Sequence, residues 1–258
     1  MSIKFEEHGE GYPVILLHGF PLNRQMWKQQ ISPLTASGFR VILPDLSGFG
    51  ESNEFSHINQ MEEMALEIAK LLETLKIEQA IIGGLSMGGY ITFNLFRLFP
   101  EKFSALILCD TACVADTDEK RAGRVELIKE IENRGSIALI EKMLPKLISD
   151  DTKQNNPDLV AKLENEFSKV NPKAAIATIK GLAERKDHTY LLSEISLPTL
   201  LIFGENDKVT DLENAEQLHR NIPDSKLIII EKSGHFSNLE QPAAFNNALV
   251  EFVKSLEK

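Results

Sequence analysis

Ile81-Ile82-Gly83-Gly84-Leu85-Ser86-Met87-Gly88-Gly89-Tyr90 is the stretch that decides how this chain folds. An apolar run ends in glycines, a serine follows with Gly84 and Gly88 two residues to either side, and a helical pattern begins. The spacing predicts a strand, a tight turn and a helix. A serine at such a turn takes a strained backbone conformation that lifts its oxygen above the sheet. Gly84 and Gly88 let strand and helix pass where side chains would collide. Met87 then offers its backbone N–H at a helix N-terminus, where the dipole favours a developing anion. The competing reading is a glycine-rich packing turn without chemistry.

Working outward, short apolar runs recur on both sides. Val14–Leu17, Arg40–Leu43, Ala80–Gly83, Ala105–Cys109, Thr199–Phe203 and Lys226–Ile230 are rich in Val, Ile and Leu and bounded by Gly, Pro or Asp. Continuous apolar strands belong in a parallel sheet covered on both faces. Helical stretches separate them: Met61–Lys76, Gly88–Phe99, Leu212–Asn221 and Ala243–Leu256. The alternation predicts an α/β fold built on an open, mostly parallel sheet with helices on both faces.

The alternation stops between about Val114 and Tyr190, where four or five amphipathic helices follow one another. Asn155-Asn156-Pro157 and Asn171-Pro172 mark turns there, with each proline suited to a helix's first turn. Residues 115–190 carry 14 acidic and 14 basic residues, so the remainder holds the whole net charge of −10. We read residues 114–190 as an all-helical cap inserted into a core of residues 1–113 and 191–258. The insertion leaves from a strand's carboxyl end, the edge where open α/β sheets bind ligands.

A nucleophilic serine needs a base. Of six histidines, His235 follows Lys226–Ile230 in Ser233-Gly234-His235-Phe236, on the rim expected for Ser86. His8, His57, His188 and His219 have nothing chemical beside them and read as surface or packing residues. The base needs a carboxylate to fix its tautomer. Asp207 lies just past Thr199–Phe203 and gives the chain order Ser86, Asp207, His235. Glu205 and Asp211 are rivals, Asp211 reading better as a helix N-cap, and Asp110 at the end of the preceding strand is the serious alternative. The strand Val14–Leu17 runs into His18-Gly19-Phe20-Pro21, whose Phe20 N–H could join that of Met87 in an oxyanion hole. His18 and Gly19 read as support for that turn.

These segments resemble the α/β-hydrolase superfamily nearly end to end. The resemblance rests on His18-Gly19-Phe20-Pro21, Pro44-Asp45-Leu46-Ser47-Gly48-Phe49-Gly50-Glu51-Ser52, Gly84-Leu85-Ser86-Met87-Gly88-Gly89, Gly204-Glu205-Asn206-Asp207 and Gly234-His235. Within it the chain is similar to small capped carboxylesterases and 3-oxoadipate enol-lactonases, with Arg185-Lys186-Asp187 matching their cap exit. The resemblance implies a covalent acyl-enzyme and neither metal nor organic cofactor. Ser86 departs from the aspartate nucleophile of epoxide hydrolases and haloalkane dehalogenases, and Met87 from the tryptophan of prolyl aminopeptidases. Only about seventeen residues precede His18, leaving room for one strand of the family's N-terminal hairpin.

Composition narrows the partners. The 258 residues hold 28 Lys plus Arg against 38 Asp plus Glu, a poor balance for nucleic acid or an anionic membrane surface. The acidic start, Met1 to Glu7, does not resemble a secretory signal. No stretch approaches the roughly 18 apolar residues of a spanning helix. Cys109 and Cys113 read as reduced thiols of a cytoplasmic protein. The expected substrate is a small, largely apolar ester, lactone or thioester. Val125, Ile128, Met143, Leu144, Leu147 and Leu163 are candidates to line its cavity, and Arg121, Arg124 and Arg185 could grip a carboxylate. A ligand sensor with little turnover, a perhydrolase and a carbon–carbon bond hydrolase stay open, as does the choice between monomer and homodimer.

Overall fold

The computed structural model describes residues 3–256, so Met1 and Ser2 of the acidic start lie outside it. Seven strands form one sheet in the order β1-β3-β2-β4-β5-β6-β7. They are β1 (Phe5–His8), β2 (Tyr12–Leu17), β3 (Phe39–Pro44), β4 (Ala80–Leu85), β5 (Phe103–Cys109), β6 (Thr199–Gly204) and β7 (Ser225–Ile230). Every pairing is parallel except that of β1 with β3. All six predicted strands are present, each one or two residues longer. The unpredicted one, β1, fills the single place left for the N-terminal hairpin. β4 and β6 are buried along their whole length, as continuous apolar runs between two helical layers require.

The helices of the core are α1 (Lys28–Thr35), α2 (Met61–Thr74), α3 (Met87–Leu98), α10 (Leu212–Asn221), α11 (Ser237–Glu240) and α12 (Pro242–Ser255). α2 packs on α3, which lies against β4 and β2, and α1 packs on α12, which lies against β6 and β7. Because β2 through β7 are parallel, their carboxyl ends share one edge. From β2 the chain steps outward to β3 on one side, while β4 begins the march to the other. Ligands of open α/β sheets bind at that reversal.

Between β5 and β6 lies the helical cap: α4 (Asp118–Arg134), α5 (Ile137–Lys142), α6 (Leu144–Leu147), α7 (Asp150–Asn155), α8 (Pro157–Ser168) and α9 (Pro172–Ala183). Both Asn-Pro signals start helices. The Asn156 side chain accepts from the Leu159 N–H at 3.1 Å and that of Asn171 from the Lys173 N–H at 2.9 Å, with the prolines in first position. α9 is fastened to the core. The Asn59 N–H donates to the Ala177 carbonyl at 3.0 Å and its side-chain amide to Thr178 Oγ1 at 3.0 Å. A β-carbon on Gly181 would stand 1.8 Å from the Asn59 carbonyl oxygen, so only glycine admits this contact. α4 is the opposite case: of its seventeen residues only Ile131 is buried.

No helix among the described residues is long and apolar enough to cross a membrane.

Candidate active site

Ser86 stands between β4 and α3 with φ 53° and ψ −109°, a region that costs a non-glycine residue of order 1–3 kcal/mol. The surroundings hold it there. Its N–H donates to the Cys109 carbonyl at 2.9 Å, and its carbonyl accepts from Gly89, from Tyr90 and from Thr111 Oγ1 at 2.8 Å. A β-carbon on Gly88 would lie 2.2 Å from the Leu17 carbonyl oxygen, and one on Gly84 2.5 Å from the Gly88 carbonyl carbon. The sequence reading of both glycines is thus met by contact. Serine is a favoured N-cap, yet the Ser86 side chain caps nothing. Its hydroxyl is left for other work.

The turn after β2 lies alongside. A β-carbon on Gly19 would stand 3.6 Å from the Ser86 β-carbon. Among the described residues neither the Phe20 nor the Met87 backbone N–H has an acceptor. The close approach of Gly19 to Ser86 thus brings two unengaged N–H groups, those of the residues that follow them, to one end of the sheet. Among the described residues no hydrogen bond joins the Ser86 hydroxyl to His235. His18, fully buried, is structural. Its Nε2 accepts from the Leu46 N–H at 2.9 Å and its Nδ1 faces the Gly19 carbonyl at 3.2 Å. Burial, against the opposing charge of Asp45, lowers its pKa to about 4.

His235 and Asp207 meet. His235 Nδ1 donates to Asp207 Oδ2 at 2.7 Å, and both side chains are buried. Asp207 also accepts from Thr210 Oγ1 at 2.6 Å and from the Val209 N–H at 2.7 Å. Burial pushes its carboxyl upward, but the His235 charge and these donors outweigh that and hold it below the ordinary value. With Nδ1 engaged, Nε2 is the ring nitrogen available for other contacts.

The rivals are placed elsewhere. Asp211 caps α10 through the Asn214 N–H, as expected, and Glu205 accepts from the Lys232 N–H at 3.0 Å. Asp110, completely buried, accepts from the Gly204 N–H at 2.7 Å and from the Ser237 hydroxyl. Burial first, then the Asp207 charge, raises its pKa well above the carboxylate range. It ties the end of β6 to the start of α11 and makes no hydrogen bond to His235.

A cavity of about 560 Å³ opens between the cap and Tyr90, Lys208 and Val209 of the core, and none of Ser86, His235, Asp207, Phe20 and Met87 lines it. Tyr90, Leu127, Met143, Leu147 and Val209 supply apolar wall, and Lys120, Glu126, Glu141, Lys142, Lys146 and Lys208 ring it with charge. Of the apolar candidates, Met143 and Leu147 line it. Val125 points outward at 54% exposure, Leu144 and Leu163 are buried elsewhere in the packing, and Ile128 is half-buried off the cavity. Of the three arginines only Arg121 lies off the cavity. Arg124 and Arg185 both pair with the buried carboxylate of Asp116, and Arg185 also lies 4.5 Å over the Tyr90 ring. Arg121 pairs with Asp118 on the surface. Arg124 and Arg185 both line the cavity and share the one carboxylate of Asp116, so one of their two positive charges is left without a counter-charge there.

The other histidines also sort by contact. His8 meets Glu6 at 3.2 Å and His219 meets Ser225 at 2.9 Å, while His57 is exposed beside Lys180. His188 is buried with both ring nitrogens unpartnered, and burial, helped by the Arg97 charge, lowers its pKa to about 4. Neutral in the fold but titrating near 6.5 when unfolded, His18 and His188 contribute stability that is complete above pH 6.5. That stability is lost as pH falls toward 4, by about 3 kcal/mol for each ring. Urea unfolding between pH 7.5 and 4.5 is expected to show this slope, and His188→Leu to flatten it. An unchanged slope in the variant would refute the assignment.

Comparison with known proteins gives the same architecture. The family model described as the alpha/beta hydrolase fold matches residues 12–242. The chain is 32% identical to the AB hydrolase superfamily protein YisY of Bacillus subtilis, over 98% of each chain. It is 30% identical to 3-oxoadipate enol-lactonase 2 of Acinetobacter baylyi, covering 93% of this chain and 88% of that one. Among solved structures, a malate-bound thermophilic esterase from Thermogutta terrifontis superposes with a TM-score of 0.95 at 37% identity. That superposition covers 99% of this chain and 94% of the esterase.

Proposed function

This chain belongs to the α/β-hydrolase fold family and is a hydrolase; on that premise we propose that it is a serine esterase working through Ser86, His235 and Asp207. His235 Nε2 takes the Ser86 proton as Oγ attacks the carbonyl carbon of a carboxylic ester. The Phe20 and Met87 N–H groups hold the oxyanion that forms. The tetrahedral intermediate collapses, the C–O bond to the alcohol breaks, and His235 returns its proton to the leaving oxygen. Water, deprotonated by His235, then attacks the acyl-enzyme, and the acid departs as Ser86 regains its proton. Asp207 keeps the imidazole in the tautomer that has Nε2 free and steadies its positive charge.

The observation that most supports this reading is a strained serine whose hydroxyl makes no cap, at the same sheet edge as a buried His–Asp pair. We take the 560 Å³ cavity as the pocket for a small, largely apolar acyl or alcohol group because two of its lining residues, Leu147 and Val209, bond to His235 and Asp207 through their backbone. Its volume is within the usual range of ligand sites. Lactones and thioesters present the same carbonyl. The chemistry needs no cofactor, and the reading keeps residues 114–190 as the cap and the cytoplasm as the setting.

A fluorophosphonate probe is expected to label the wild type once per chain and to leave Ser86→Ala unlabelled. Equal labelling of both would remove Ser86 as nucleophile. Nitrophenyl esters of increasing acyl length then separate an enzyme from a ligand sensor, since a sensor stops after one turnover.

A further inference from the structure

Glu240 is a buried carboxylate that the mechanism above does not use. It closes α11, five residues after His235, at 6% exposure. Its two oxygens collect three donors from two parts of the molecule. Oε1 accepts from the Gly234 N–H at 2.9 Å, in the loop of the base. Oε2 accepts from the Ser149 N–H at 2.8 Å and from Thr152 Oγ1 at 2.7 Å, both in the cap. Around this junction the loop and the cap touch twice more. The His235 N–H donates to the Leu147 carbonyl at 3.0 Å, and the Ser149 hydroxyl donates to the Lys232 carbonyl at 3.0 Å. A β-carbon on Gly234 would stand 2.8 Å from the Ser149 nitrogen. Leu147, whose carbonyl holds the His235 N–H, also lines the cavity.

We propose that Glu240 is a positioning residue that locks the cap segment Leu147–Thr152 to the loop Lys232–His235, so that filling of the cavity sets the place of the imidazole. The proposal rests on the reading of His235 as the base. A buried carboxylate left without its donors, or donors left without it, is costly, so the junction resists separation. A substrate that presses on Leu147 therefore moves, or steadies, the backbone of His235. A misplacement of about 1 Å at a reacting group can cost roughly 100-fold in rate. Selection for acyl length then shows in kcat, because the fit is sensed at the base.

The test compares nitrophenyl acetate and nitrophenyl butyrate in the wild type, Glu240→Ala, Glu240→Gln and Thr152→Val. Rates are normalised to sites titrated with fluorophosphonate. Glu240→Ala is expected to lose about 100-fold in kcat for butyrate with KM little changed, and to lose the wild type's preference between the two esters. Glu240→Gln, which keeps the size and one acceptor, recovers part of both. Thr152→Val removes one cap hydroxyl and shifts the preference in the same direction by less. Unchanged kcat and preference per titrated site in Glu240→Ala overturns the proposal, as does a loss accounted for wholly by fewer titratable sites. If Glu240→Ala does not fold, an unaltered ester preference in Thr152→Val overturns it. Failure of the wild type to label at all would instead strike the serine esterase reading.

Discussion

Ser86→Ala is expected to lower kcat on nitrophenyl butyrate by about six orders of magnitude, and His235→Ala by a similar factor, the double variant being no worse than either. In the proposed mechanism the three side chains act as one unit, so removing the nucleophile or the base removes the attack itself. What survives comes from the Phe20 and Met87 donors and from binding, worth roughly 10³–10⁴ over water. KM should move little, because the hydroxyl contributes mainly once the carbonyl carbon becomes tetrahedral. The Ser86 backbone is held by four hydrogen bonds that alanine keeps. Circular dichroism and Tm are therefore expected to match the wild type. A loss of less than tenfold would show that another group attacks.

Asp207→Asn is the second large effect, about four orders of magnitude in kcat. The Asn oxygen can still accept from the Val209 and Thr210 N–H groups, which now meet Oδ1. The amide nitrogen then faces His235 Nδ1 and forces the opposite tautomer, with the proton on Nε2 where Ser86 needs an acceptor. Asp110→Asn offers the contrast. Burial already favours its neutral form, and an amide keeps an oxygen for the Gly204 N–H while the Ser237 hydroxyl turns to accept. One hydrogen bond reversed is worth about 1 kcal/mol, so its loss should stay within roughly tenfold. Steady-state rates per titrated site decide the matter. A larger fall in Asp110→Asn than in Asp207→Asn would move the acid to the end of β5.

The sequence showed the sheet where burial is two-sided. Val14–Leu17 and Thr199–Phe203 have no polar residue facing solvent, so their apolar runs have one interpretation. β1 escaped because Phe5-Glu6-Glu7-His8 sits on an edge and carries charge on half its positions. α1 escaped because Pro33 interrupts it and only Gln30 and Leu34 are buried. At the rim, residue type and order singled out Ser86, His235 and Asp207, yet Asp110 looks the same in sequence. Only the contacts of each carboxylate part them. Arg124 and Arg185 looked free because their partner, Asp116, is no nearer in sequence than eight residues to either. Glu240 gave no signal in the sequence, since its two donors in the cap lie some ninety residues away. Periodicity says which face of a helix is apolar, not which other helix will meet it.

The nearly bare α4 has a consequence for handling the molecule. With Ile131 as its single buried side chain, this helix holds on beyond that through the half-buried Leu127 and Ile128 and the Arg124–Asp116 pair, and segments so thinly packed open below the global unfolding free energy. A protease at low dose should therefore nick the chain within residues 118–134 first. The clipped product should hold together through the α7 and α9 fastenings and still react with a small phosphonate, while its taste in esters broadens.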